Sequence, residues 1–368
     1  MTSPEIAPES PALGPDVVLD EDATAIERFI AEHVHPRFEQ FRSAPHVIDH
    51  GQLIRRALQS RNVTVRDVGP ENHLFTFGGI VIGGMDRSVT SLVSANARRI
   101  ARHRWLTKQH LQKHEIPTPA GRVFGEKNST EAAEHLVTLP GPGVLKPVTG
   151  RSGHGITTDL TTAEGLQQAW PEALEARLTT EVPSPRLLLE EFHEGLDLRA
   201  YVVGEELVSA VVRVPLHVVG DGRSAVRTLL ERTLAPRRTH QHLATHIPDV
   251  QESDLEPMGL SLDTILDQGR LVILNQAANT RAGGIPVDVT DEISEDLTAL
   301  AVDALWAIPE LRVAAMDLRV PDLGTAEGAV VLHADVGANI VPHHHPAYGE
   351  PRQVAEAIAE EVLLTASR

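Results

Sequence analysis

The stretch LRAYVVGEELVSAVVRVPLHVV, Leu198 to Val219, constrains this chain's architecture more than any other. Apolar and β-branched residues run on both sides of Gly204-Glu205, so it reads as two antiparallel strands joined by a tight turn. Two more apolar runs, LRVAAMDLRV and AVVLHADV, are separated by PDLGTAEG, which predicts a second hairpin. Upstream, GVLKPV and RLLLEEF read as strands flanking a helix from about Thr162 to Leu178. The expected class is therefore α+β.

The rest of the chain fills in around these strands. Residues 1–18 are rich in Pro, Ser and Glu and are expected to be a disordered tail. Ile26, Phe29, Ile30, Val34 and Phe38 recur at helical spacing, predicting a helix from Asp20 to about Phe41, with a second over Gln52 to Ser60. NVTVRDV alternates as a strand, and HLFTFGGIVIGG reads as a hairpin turning at Gly78-Gly79. SVTSLVSANARRIARHRWLTKQHLQKHEIPTP then gives a Ser-capped helix and a second helix stopping at Pro117 and Pro119, and EPRQVAEAIAEEVLLTA closes the chain as an amphipathic helix.

Composition removes several function classes. At 368 residues and 41% apolar content the chain can build two or three packed units, with a core of Leu, Val, Ile and Ala because aromatics are 3%. A formal charge of −18 disfavours a nucleic-acid binder, so any anion site must be a local basic island. The absence of cysteine excludes disulfides, thiolate metal sites and cysteine nucleophiles. MTSPEIAPESPALGPD has neither a basic start nor an apolar run, and no stretch approaches a membrane span, so the expectation is a cytoplasmic protein with no membrane partner.

A candidate for that island is LKPVTGRSGHGI, Leu145 to Ile156. Small residues after a strand let backbone N–H groups approach phosphate oxygens, and Lys146 can add a point charge. Taken alone, the stretch is equally a tight hairpin with a solvated lysine. It is neither a Walker loop, lacking the closing Gly-Lys-Ser/Thr, nor a dinucleotide fingerprint, because no helix begins at its last glycine. Downstream, LLLEEFHEGLDLRAYVV places Glu190, Glu191 and Asp197 where a strand edge could read adenine and ribose, the alternative being an exposed acidic turn.

At this point the chain resembles the ATP-grasp superfamily, within it the ligase domain of cyanophycin synthetase and of the bifunctional glutathione-synthesising enzymes. RHRWLTKQHLQKHEIPTP, VLKPVTGRSGHGI, LLEEFHEGLDLRAYVVGEELVSAVVRVPLHVVGDG, AANTRAGGIPVDVTDEI, AAMDLRV and VLHADVGANIVPHHHPAYGEPR follow in the superfamily's order, from about Ser91 to the C-terminus. The resemblance implies two α+β lobes clasping ATP. It also implies a reaction in which a carboxylate is phosphorylated and an amine then attacks the acyl phosphate.

Residue roles follow from the same resemblance. Lys146 matches the phosphate-binding lysine, and Gly150, Ser152, Gly153, His154 and Gly155 the phosphate lid. Glu190 matches the adenine-side acid with Glu191, Phe192 and His193 beside it, and Asp197 the ribose-binding acid. Arg199 and Arg213 match arginines at the reaction centre, with Arg281 a further catalytic candidate. Asn279, Gly283 and Gly284 match a substrate or phosphate loop, and His343 a substrate-side histidine. Arg104 stands where a second ATP-contacting lysine is usual. Asp317 keeps the first metal-ligating acid, but His333 and Asp335 replace a glutamate and an asparagine, so the implied Mg2+ site gains an imidazole and manganese becomes a candidate.

The run His343-His344-His345 resembles a zinc site, yet three adjacent histidines cannot converge on one ion from a single loop, and His344 and His345 read as solvent-facing. His240 and His242 match a loop over the active site, a surface role being the alternative. The expected partition is a tail over 1–18, an N-terminal domain over 19–100, a central lobe over 101–192 and a C-terminal lobe over 193–368. The expected substrates are a small carboxylate and a small amine. The Mur-ligase-like domain of cyanophycin synthetase and the γ-glutamylcysteine ligase domain of the glutathione enzymes are not found in the sequence, which argues against polymerising Asp and Arg. Homodimers are frequent in the superfamily, which makes a homodimer a possible assembly, although the sequence itself does not specify the oligomeric state. The competing class is a non-catalytic nucleotide-binding protein on the same fold.

Overall fold

The computed structural model describes residues 16–150, 153–176 and 184–367. They form two compact units, each assembled from separated stretches of chain. One contains the stretch ending at Val47 together with Val214–Val287, and the other Ile48–Arg213 with Asp288–Arg368.

In the larger unit, Asp49 caps a helix over His50–Gln59 by accepting from Gln52 N at 2.9 Å. Antiparallel strands β1 (Thr64–Gly69), β2 (Asn72–Phe77), β3 (Ile80–Asp86) and β4 (Val89–Thr90) follow, turning at Gly78-Gly79 as expected. Ser94 caps the helix Ala95–Ala101, and the helix Arg104–Lys113 stops before Pro117. A second antiparallel sheet has the order β5 (Gly121–Gly125), β8 (Arg186–Glu191), β6 (Gly143–Pro147), β7 (Thr157–Leu160). Phe124, Leu145, Leu166, Trp170, Leu187 and Leu189 form the core that binds helices Ser129–Leu136 and Ala163–Ala176 to it.

The third sheet carries β10 (Glu206–Val214), β9 (Leu196–Val203), β14 (Val313–Val320) and β15 (Val330–Asp335) side by side, antiparallel, with both expected hairpins formed. Side chains alternate between faces along each strand. Leu198, Ala200, Val202, Val212, Met316 and Leu318 fall on one face and are wholly buried. Arg199, Asp317 and His333 lie directly opposite one another across β9, β14 and β15 and share the polar face. Helices Glu295–Trp306 and Val354–Ala366 pack on these strands.

In the smaller unit the expected long first helix is broken into an α-helical turn over Ala25–Phe29, a π turn over Ile30–Val34 and a 3-10 turn over His35–Gln40. Pro36, at the start of the last turn, has no N–H to continue the α ladder, while the spacing of Phe29, Ile30 and Val34 still buries them. Strands β11 (His217–Val219) and β12 (Leu271–Ile273) pair antiparallel. With the helix Val226–Arg237 they enclose a core that includes Leu216, Val218, Leu229 and Leu266. Strand β13 (Ile285–Asp288) leads into the final stretch of the larger unit. Among the described residues no helix is long and apolar enough to cross a membrane.

Candidate active site

Two sets of charges in the larger unit draw together most of the residues singled out above. The first is a buried cation cluster. Glu190, at the end of β8, is 2% exposed and receives Lys146 of β6 on Oε1 and Lys108 on Oε2, the latter at 3.0 Å. Lys108 also donates to Thr118 Oγ1 at 3.0 Å and to the Pro119 carbonyl. Arg104, one helical turn before Lys108 on the same face, donates to the Pro147 carbonyl at 2.5 Å. Burial pushes the Glu190 carboxyl up, but the two lysines outweigh it and hold it below its ordinary value. Burial lowers Lys146 and takes Arg104 down to about 10, with Glu190 pulling both back. Two buried lysines thus share one carboxylate with the buried Arg104 within its field, an imbalance suited to an anion with several negative oxygens. Lys108 was missed from sequence, although its position four residues after Arg104 placed it on the same side of the helix.

The glycine loop runs from β6 to β7, strand to strand, as its lack of a helix start implied. Gly153 and Gly155 have φ of 76° and 66°, and a Cβ on Gly155 would stand 2.5 Å from Ala176 Cβ, so the loop turns where a side chain would not fit. His154 is exposed; Ser152 lies outside the described residues. At the end of β8 and on the connector after it, Glu191, Phe192 and His193 are half-buried, with His193 Nε2 3.5 Å from Glu191 Oε2.

The second set lies on the polar face of the third sheet. Arg199 forks Asp317, Nε to Oδ1 at 2.8 Å and Nη2 to Oδ2 at 2.9 Å, and its Nη2 lies 3.5 Å from Asp335 Oδ2. Arg213 Nη2 stands 3.4 Å from Asp317 Oδ1 and pairs with Asp197 through Nε at 2.9 Å. Burial raises the Asp317 pKa, but Arg199 and Arg213 overwhelm it and keep the carboxylate ionised well below the usual range. Asp197, expected at the ribose, pairs with Arg213 through Oδ1, while its Oδ2 has Arg319 Nη2 at 3.7 Å.

His343 lies over the same face, fully buried, its Nδ1 2.7 Å from Ser209 Oγ and its ring edge-on to Tyr201 at 5.3 Å. Its Nε2 is buried without a hydrogen-bond partner among the described residues. Burial, with Arg199 beside it, depresses its pKa to about 3. The expectation for its neighbours is corrected: His344 is 7% exposed, and its Nε2 accepts from Ala355 N at 3.1 Å to cap the last helix. His345 is half-buried.

The remaining candidates belong to the smaller unit, described by itself. Asn279 caps the turn Thr280–Ala282, accepting from Ala282 N at 3.0 Å. A Cβ on Gly284 would fall 2.0 Å from the Ala278 carbonyl, so only glycine closes this loop. Arg237, 2% exposed and unforeseen from sequence, draws in the carbonyls of His246, Gly283, Gly284 and Thr280 at 3.0, 3.1, 3.1 and 2.6 Å. Arg281 is exposed. His240 is fully buried and caps the turn Gln241–Ala244, which removes the surface alternative for it, while His242 is half-buried.

For a divalent cation, no three His, Asp or Glu among the described residues gather into a ready-made cage. A cation bridging nucleotide phosphates needs only one or two protein groups. Asp317 is engaged on both oxygens by Arg199, whereas His333 keeps a buried Nδ1 with no partner beside the Asp335 carboxylate. The donor set therefore fits a nucleotide-bound cation better at His333 and Asp335 than at the full trio expected.

No protein-family model matches the sequence. The cyanophycin synthetase of Geminocystis herdmanii is 31% identical over 263 residues, 69% of this chain and 29% of that protein. The glutathione biosynthesis bifunctional protein of Streptococcus mutans is 30% identical over 223 residues, 59% of this chain and 28% of that protein. This chain thus spans under a third of the length of these relatives. The crystal structure of a bifunctional glutathione synthetase from Pasteurella multocida superimposes with a TM-score of 0.61 over 91% of this chain and 47% of that one, at 22% identity, a likeness of fold. On these grounds the chain belongs to the ATP-grasp superfamily of ligases, related to the segment that it matches in cyanophycin synthetases and bifunctional glutathione biosynthesis proteins.

Proposed function

We propose that the chain is an ATP-dependent carboxylate–amine ligase that joins small, amino-acid-like substrates through an amide or peptide bond. The proposed reaction passes through an acyl phosphate and releases ADP and phosphate. The observation that carries it is the sharing of Glu190 by buried Lys108 and Lys146 with Arg104 beside them.

In this reading Lys146, Lys108 and Arg104 take the nucleotide phosphates, and Gly150, Gly153 and Gly155 let the loop backbone close over them. Glu191, Phe192 and His193 border the base and ribose. Bound ATP supplies the phosphoryl group that activates the carboxylate. Arg199 and Arg213, oriented by Asp317 and Asp197, offer their remaining guanidinium N–H groups to the oxygens of the substrate carboxylate and of the collapsing intermediate, where fixed donors stabilise developing charge. His343 donates from Nε2 to a substrate oxygen. His333 and Asp335 would hold a magnesium or manganese ion, which offsets phosphate charge.

The test is phosphate release from ATP across paired pools of small acids and amines, with products read by mass. ATP consumption that requires one acid and one amine, giving a product one water lighter than their sum, supports the reading. Nucleotide binding with no turnover in any pool supports the non-catalytic alternative.

A further inference from the structure

His333 occupies the position where the ATP-grasp pattern leads one to expect a carboxylate. It is opposite Asp317 on the neighbouring strand and two residues from Asp335 on its own. Its surroundings are mixed: Asp335 and Asp317 act on it from the sheet, and Arg104 and Lys146 act on it from the buried cation cluster. It therefore lies between the groups that would meet the phosphates and the acids of the sheet face. Its Nδ1 is buried and has no hydrogen-bond partner among the described residues, a state that ordinarily costs about 1–3 kcal/mol and calls for a ligand. Asp335 accepts from Gly337 N at 3.1 Å through Oδ1, while its Oδ2 has only the long 3.5 Å approach of Arg199. Asp317 is committed to the Arg199 fork.

We propose that His333 gives an imidazole nitrogen to the cation bound with the nucleotide, with Asp335 as its carboxylate companion, making a mixed nitrogen–oxygen site. The inference rests on the nucleotide reading above. Magnesium takes oxygen ligands almost exclusively, whereas manganese, although it also takes oxygen, accepts an imidazole more readily than magnesium does. The site thereby favours manganese over magnesium, and Asp317 serves to hold Arg199 rather than the metal.

The experiment is pulsed electron paramagnetic resonance of Mn2+ bound with ADP to the full chain labelled with 15N-histidine. Adenine nitrogens remain 14N, so a 15N coupling at the manganese can come only from a protein imidazole. The wild-type protein should show that coupling, H333E should lose it while Mn2+ stays bound, and H333E should bind Mg2+ in preference to the wild type. Manganese bound with ADP but without 15N coupling overturns the inference and leaves the nucleotide reading intact. A coupling that survives in H333E assigns the nitrogen to another histidine and overturns it as well. Failure of ADP to bind, measured by calorimetry on the same sample, overturns the nucleotide reading and this inference with it. Where H333E does not fold, H333Q, which also lacks the imidazole, carries the same comparison.

Discussion

Lys108 Nζ stands 3.0 Å from Glu190 Oε2, and both side chains are 3% exposed. A buried charge that loses its partner is penalised far more than a surface one. K108M leaves Glu190 with Lys146 alone, and E190Q leaves two buried lysines without a counter-ion. Each variant should lose about 3–5 kcal/mol of stability in urea unfolding. A loss below about 1 kcal/mol, typical of exposed pairs, would show that the cluster is solvated.

The Arg199 fork on Asp317 makes a second prediction. Lysine keeps the charge but cannot make two parallel bonds. R199K should therefore retain nucleotide binding and lose turnover by about 10²–10³-fold, as for one oxyanion-stabilising donor. Single-turnover phosphate release and calorimetry on the same variant separate the two effects.

The buried histidines predict an acid-sensitive fold. Burial takes His343 from 6.5 to about 3 and His344 from 6.5 to about 4. The folded state keeps both neutral where the unfolded chain, below pH 6.5, is taking up protons. Their stabilisation is therefore complete above about pH 7 and is lost as pH falls from 6.5 toward 4, by up to ~1.4 kcal/mol per pH unit for each histidine. Urea midpoints measured across that range should fall steadily, and H343Q should flatten the slope. S209A should also release the His343 ring, visible as a mixed tautomer in 15N spectra, whereas S209T should restore it.

Arg237 holds four backbone carbonyls with no carboxylate beside it, and burial lowers it to about 10. R237M strands those carbonyls and should cost on the order of 3 kcal/mol. Faster hydrogen exchange confined to Thr280–Gly284 would identify the loop as what Arg237 orders, whereas uniform exchange across the unit would assign it to general packing.

The strands were legible because they are local patterns: both hairpins of the third sheet, the turn at Gly78-Gly79 and the helix ends at Ser94 and Pro117 depend on residues adjacent in sequence. The first helix was misread because apolar spacing fixes which side chains are buried but not which hydrogen-bond ladder runs past Pro36. Lys146, Glu190 and Arg199 were recognisable from their motifs, but their partners were not. Lys108 meets Glu190 across 82 positions, and Ser209 meets His343 across |i−j| = 134, separations that no window along the chain can join. Arg237 was invisible for another reason, since its partners are backbone carbonyls, which every residue carries.

The most direct test of the account is calorimetric titration of ATP into the wild-type protein and K146M. The account predicts one site per chain, weakened by more than about tenfold in K146M because a buried charge-assisted contact to phosphate is lost. Absence of binding to the wild type, or equal affinity in K146M, would contradict it.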